Sequence, residues 1–178
     1  MKTQAISSPI EGYVCRICGE FHEGIPLHYG ATAPALYDMI PEGERDRRCE
    51  LTFDVCMIDA KNWFIVGNLE IPIIGKEERF SWDVWVSLSE KNMKHAAQIW
   101  ESPERSSEPA FFGWISTLLP CYPETLHLKS MIHTREVGRR PYIELEPTDH
   151  PLAIEQRNGI TWLRVQEIAE TVLHGQKS

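Results

Sequence analysis

Cys15 and Cys18 stand at C-x2-C spacing in YVCRICGEFH (13–22), and His22 follows a short step later. Such a turn aims two thiolates at one tetrahedral metal, because the tight bend brings the sulfurs together. Gly19 permits the positive φ that a turn of this kind needs. His22 is the candidate third ligand, and Cys56, Cys49 and His28 are the candidates for the fourth. The chain holds no second C-x2-C, so it lacks the pattern of a zinc ribbon. Two other readings compete with zinc: a pair of reduced thiols beside a loop, and a redox pair. The redox reading needs the motif at the start of a helix in a βαβ setting, and Gly19 and the loop-rich sequel speak against it.

A second constellation lies in IELEPTDHP (143–151). Glu144 and Glu146 share one face of a candidate strand, and Asp149 and His150 follow. Paired carboxylates near a histidine are the apparatus of acid–base chemistry or metal binding. A plainer account is also at hand. His127, Lys129, His133 and Arg135 share one face of the preceding strand, where cross-strand charge pairing would occupy the two glutamates. Asp149 before His-Pro reads as a turn or helix start.

The elements that must position these groups are legible in part. Residues 13–34 are rich in Cys, Gly, His and Pro and read as a knuckle with loops; charged 35–50 reads as a short helix or loop. Phe53, Val55 and Met57 share one strand face, with Thr52, Asp54 and Cys56 on the other. Strands are predicted at 62–73, 80–89 and 111–119, with Trp85 an apolar exception on the polar face of the second. A hairpin is predicted from 125–136 and 141–147 around Val137-Gly138-Arg139-Arg140. Ser87 and Glu90 have capping-box spacing before a helix with Met93, Ala96, Ala97 and Trp100 on one face. A short helix over HPLAIEQR ends near Asn158-Gly159. A last helix starts near Thr161 with Val165, Ile168, Ala169, Val172 and Leu173 as its apolar stripe. Consecutive strands with helices mid-chain and at the C-terminus predict an α+β fold with a mostly antiparallel sheet. One domain is expected over 1–178, with the knuckle region at 13–34 and the α+β core at 51–174.

Composition narrows the function. Of 178 residues, 42% are hydrophobic and 25% charged, and six tryptophans supply large buried areas. A net charge of -8 opposes phosphate backbones, so nucleic acid is not an expected partner. No stretch is apolar for long enough to span a bilayer, and MKTQAISSPIEGYV has no signal-peptide core, so no membrane partner and a cytoplasmic location are expected. In that reducing setting the five cysteines are expected as thiols or metal ligands.

The segments CRICGEFHEGIP, LTFDVCMID, LEIPIIG, WDVWVSLSEKN, FFGWISTLLPCYPETLHLK and IELEPTDHPLAIEQRNGIT together resemble the bacterial domain-of-unknown-function family number 2199. The resemblance runs from about Tyr13 to His174. It implies a single-domain bacterial protein with no established activity. It puts Cys15, Cys18, His22 and Cys56 on matching positions. Cys49, Cys121 and Asp83 depart from the pattern, and the departure speaks against Cys49 as a ligand. The expected ligand set is therefore Cys15, Cys18, His22 and Cys56 around zinc, with the Cys56 strand face lying under the knuckle. The expected function is a non-enzymatic, zinc-stabilised α+β module that binds a protein partner. The alternative is a hydrolase or transferase using Glu144, Glu146, Asp149 and His150, with or without a metal.

Overall fold

The protein's structure is a computed structural model that describes residues 12–175; residues 1–11, which carry most of the stretch read as lacking a signal-peptide core, and 176–178 lie outside the described residues. The chain opens with a small antiparallel hairpin, β1 (Tyr13–Val14) and β2 (Phe21–His22), closed by the C-x2-C turn. Next come β3 (His28–Gly30), α1 (Ala35–Asp38), α2 (Glu42–Arg48), β4 (Cys49–Leu51) and β5 (Val55–Ile58). Two long strands follow, β6 (Asn62–Pro72) and β7 (Arg79–Leu88), then α3 (Glu90–Ile99) and a 3-10 turn at Pro103–Ser107. The second half holds β8 (Phe111–Ile115), β9 (Lys129–His133), β10 (Tyr142–Leu145), α4 (Pro151–Asn158) and α5 (Trp162–His174).

The fold is α+β, and its main sheet has eight strands in the order β3-β7-β8-β9-β10-β6-β5-β4. Because β6 also pairs with β7, the strands β6, β7, β8, β9 and β10 close into a five-stranded barrel. Antiparallel pairing is only part of the picture: β3 runs parallel to β7, and β10 meets β6 in parallel at Tyr142 and Asn68. Closure at that seam needs a close approach. A Cβ on Gly67 would sit 2.5 Å from Ile143 Cδ1 and 2.9 Å from the Pro141 carbonyl. A glycine there removes the obstacle.

The β6–β7 hairpin is paired from Trp63–Leu88 to Pro72–Arg79 and is apolar on both faces over much of its length. Ile65, Leu69, Ile71, Phe80, Trp82, Val84 and Val86 point into the main core. On the other face Phe64, Val66 and Trp85 build a second core with Cys56, Ile58 and Ile40. Trp85, expected on a polar face, is thus fully buried; its indole N–H donates to the Ala31 carbonyl at 3.0 Å.

Local chemistry sets the helix ends, with small departures from the expected ones. Ser89, not Ser87, caps α3 by accepting the Asn92 N–H; Ser87 lies in β7, where its hydroxyl accepts the Trp114 N–H. Met93 and Ala96 are buried, whereas Ala97 is exposed. His150 caps α4, and Thr161 caps α5 by accepting the Arg164 N–H. The residues between the two helices pair with the end of β6, where Ile160 N–H donates to the Pro72 carbonyl at 2.8 Å. That strut directs α5 across the core. Val165, Ile168 and Ala169 are buried at 0% exposure and Val172 packs partly, but Leu173 is half-exposed.

Helices as short as α5 are marginal on their own, so its packing stabilises it. Ile168→Ala is expected to cost about 2–5 kcal/mol in the denaturant midpoint, through lost transfer energy and a cavity. Leu173→Ala is expected to stay within about 0.5 kcal/mol of the parent. Equal midpoints for the two variants would overturn the assigned face of α5.

Candidate metal centre

The knuckle turn is set by backbone hydrogen bonds. Cys15 N–H donates to the Glu20 carbonyl and Gly19 N–H to the Cys15 carbonyl, both at 2.9 Å. Gly19 takes φ 74°, a conformation that costs glycine little. Strand alternation then sorts the side chains. Tyr13 and His22 are cross-strand partners and stack at 5.1 Å on the inner face. Val14 and Phe21 are partners on the outer face, and both are exposed.

The last turn of α5 meets this inner face. The ring of His174 lies edge-on to that of His22, with centroids 5.9 Å apart. One ligand atom from each of Cys15, Cys18, His22 and His174 falls within 4.8 Å of all the others. Cys18 Sγ and His22 Nε2 are 3.4 Å apart. Tetrahedral zinc at ordinary bond lengths sets its ligand atoms about 3.3–3.8 Å from one another. The four groups therefore need only a small contraction to share one ion. A further sign is His174 Nε2, which is buried and has no hydrogen-bond partner among the described residues. A buried ring nitrogen without a partner is costly unless something fills it, and a cation does so.

An ion pair holds the knuckle to the helix. Glu170 is 3% exposed, one turn before His174 on α5. Its carboxylate accepts the Arg16 backbone N–H at 2.8 Å and Arg16 Nε at 2.9 Å, with Nη2 also at 2.9 Å. Gln166 Nε2 adds a fourth donor at 3.0 Å. Burial pushes the Glu170 carboxyl up, but these donors outweigh it and hold the group below its ordinary range. Arg16 stands between the two cysteines, so its anchoring fixes the turn that presents them. Burial likewise pushes the Cys15 thiol up, yet the amides of Cys18 and Ile17 prevail and hold it below the ordinary thiol range. Cys18 goes the other way: the Glu20 amide pulls its thiol down, but burial and the neighbouring Cys15 outweigh that and raise it.

The structure brings Cys15, Cys18 and His22 together and does not bring Cys56 to them. Cys56 is fully buried in the second core, opposite Phe64 on β6, and burial pushes its thiol up to about 12. Its strand face lies under the 31–40 segment instead of the knuckle, because α1 and its flanks cover the outer face of β5–β7. The other two candidates are also elsewhere. Cys49, in β4, pairs across to Ile58 of β5, and His28 Nε2 sits 2.9 Å from Asp83 Oδ2. His174 was missed because nothing local marks it; only the docking of α5 on the knuckle makes it a neighbour.

The acidic cluster disperses. Glu144 takes His133 at 2.8 Å, and Glu146 lies 3.5 Å from Lys129. His150 Nδ1 accepts the Leu152 N–H to cap α4, and Asp149 is exposed in the preceding turn. His127, with φ 64°, has left the strand, and Arg135 turns away to Glu70 at 2.6 Å and to Asn68. The four residues do not converge on a shared cleft: Glu144 and Glu146 line one without Asp149 or His150. Among the described residues, no helix is long and apolar enough to cross a membrane.

These features define an α+β protein in which a Cys2His2 group compatible with zinc forms where the N-terminal hairpin meets α5. Residues 14–160 match the family described as an uncharacterised protein conserved in bacteria, DUF2199, and the chain belongs to it. No curated protein and no solved structure matches the chain. The matched span stops short of α5 and His174.

Glu170 is expected to tune this site without touching an ion. Glu170→Gln keeps the shape and removes the charge that holds Arg16. Metal affinity, read by competition with a chromogenic chelator, is expected to fall on the order of 10-fold. An unchanged affinity would show that the turn holds its geometry without the pair.

Proposed function

We propose that this protein is a non-enzymatic module whose N-terminal knuckle is tied to its C-terminal helix by one zinc ion, and that it binds a protein partner through the knuckle. The observation that carries the reading is the convergence of Cys15, Cys18, His22 and His174 from opposite ends of the chain. Two thiolates and two imidazoles suit zinc among the common metals. Four protein ligands fill a tetrahedral shell, leaving no position for a substrate or an activated water, which favours a structural over a catalytic ion. The dispersal of Glu144, Glu146, Asp149 and His150 supports the same side of the choice. The five free cysteines fit a reducing compartment such as the cytoplasm.

The partner reading rests on the outer face of the knuckle. Val14, Ile17 and Phe21 are each more than half exposed, on a hairpin too small to have its own core. Exposed apolar groups gathered on one rigid element mark interaction surfaces. Glu20 and Glu23 are exposed beside them, giving the patch an acidic border.

Protein purified without chelator is expected to carry one equivalent of zinc by elemental analysis. Chelation is expected to speed amide exchange over 13–22 and the last turn of α5, while β6 and β7 stay protected. Substoichiometric metal, or exchange that rises uniformly through the barrel, would overturn the staple. A photo-crosslinking residue placed at Ile17 in bacterial cells is expected to trap a protein adduct that the same residue at Glu144 does not. Identical adduct patterns at the two sites would remove the knuckle as the binding face.

A further inference from the structure

We infer that the knuckle is a peroxide-sensitive release catch, in which oxidation of Cys15 and Cys18 to a disulfide expels the ion and frees the last turn of α5 from the N-terminal hairpin. The inference rests on the zinc reading above and adds its regulation.

Geometry singles out this pair of thiols. Their sulfurs lie within 4.8 Å of each other, and a disulfide sets them about 2 Å apart, so the turn closes by no more than about 3 Å. Cys18 is exposed, so an oxidant in solution can reach it, while Cys15 is 1% exposed and is shielded directly behind it. One thiol is placed to be attacked first, and the other to resolve the product. The remaining cysteines are poorly placed for either role. Cys56 is fully buried in the second core, and Cys49 and Cys121 are partly covered, Cys49 against that core and Cys121 against α5. Cys121 lies against the Ile168 carbonyl of α5, far along the helix from His174.

The chemistry balances with hydrogen peroxide as the oxidant. The Cys18 thiolate attacks one peroxide oxygen, the O–O bond breaks, and hydroxide leaves, giving a sulfenic acid on Cys18. The Cys15 thiolate then attacks the Cys18 sulfur, the S–O bond breaks, and a second hydroxide leaves as the S–S bond forms. Two sulfurs are oxidised, one peroxide is reduced, and two protons from solvent turn the hydroxides into water. A disulfide sulfur is not a useful zinc ligand, so the ion keeps only His22 and His174 and departs. The Arg16–Glu170 pair, one turn earlier on α5, still tethers the hairpin, so the release is confined to the last turn of the helix. The barrel has no part in the reaction, and thiol reductant with zinc restores the starting state.

Zinc-loaded protein is treated with hydrogen peroxide, and the freed ion is read with a chromogenic chelator. The expected result is stoichiometric release that tracks a mass loss of two hydrogens. Peptide mapping is expected to link Cys15 to Cys18 and to find Cys49, Cys56 and Cys121 as free thiols. Amide exchange at 13–22 and the last turn of α5 is expected to rise, with tryptophan fluorescence of the barrel unchanged. Zinc that stays bound under peroxide overturns the catch and leaves the zinc staple standing. Release with over-oxidised thiols and no disulfide, or with a disulfide to another cysteine, overturns it as well. Protein that neither carries nor takes up zinc removes both the staple and the catch.

Discussion

A hairpin that is apolar on both faces has to be covered on both sides, and this constraint shapes the fold. The inner face of β6–β7 is covered by curling the sheet until β10 meets β6, at the cost of a parallel seam that only a glycine at position 67 allows. Closure removes two sheet edges that would otherwise stay open to pairing. The outer face is divided. Its Phe64, Val66 and Trp85 end is roofed by the segment around α1, with Cys56 and Ile58 alongside. Its Asn68 and Asp83 end is left to polar partners, where Asn68 donates to Asp83 at 2.6 Å and Arg140 pairs with it at 2.5 Å. The boundary between roof and polar end follows the side-chain types along the two strands.

The ligand group depends on a second constraint, the pairing of a buried carboxylate. A carboxylate as enclosed as that of Glu170 has to be hydrogen-bonded to remain ionised. Arg16 supplies both a backbone and a side-chain donor, so the pair orients the main chain of the turn as well as a flexible side chain. One helical turn on, His174 inherits that alignment. The charge pair and the ligand group are thus one arrangement: the first brings the knuckle to the helix, and the second gives the meeting point a chemistry.

Much of this was legible from residue patterns, and the gaps have physical reasons. Alternation along 80–89 and the stripe on α5 revealed the main core, because period and burial are directly linked. The same alternation said nothing about what covers the outer face, so Trp85 stood as an exception and Cys56 looked free to serve a metal. Spacing identified Cys15, Cys18 and His22 because a local turn carries all three. The group's fourth member depends on how a helix more than a hundred residues away in the chain docks, and no local pattern encodes that. The glutamates of β10 followed the cross-strand logic, with the register setting which bases they meet. Glu144 stands opposite Met131 and reaches His133 on the diagonal. Barrel closure had no separate signature, since a seam held by one residue pair leaves almost no mark on composition.

Where the four ligands originate determines what an ion would do for stability. Cys15, Cys18 and His22 stay close even in an unfolded chain, so that chain keeps some affinity for metal. His174 joins them only when α5 is formed and seated on the core by Val165, Ile168 and Ala169. The difference in affinity between folded and unfolded states therefore rests on the fourth ligand. Only that difference stabilises the native state, because metal bound equally by both would shift nothing. An ion at this site would thus act on the docking of α5 more than on the shape of the turn. The hairpin holds its turn through its own backbone bonds. The helix, secured at its start by the strut from β6, has its far end within reach of the ligands, and that end is where an ion adds restraint.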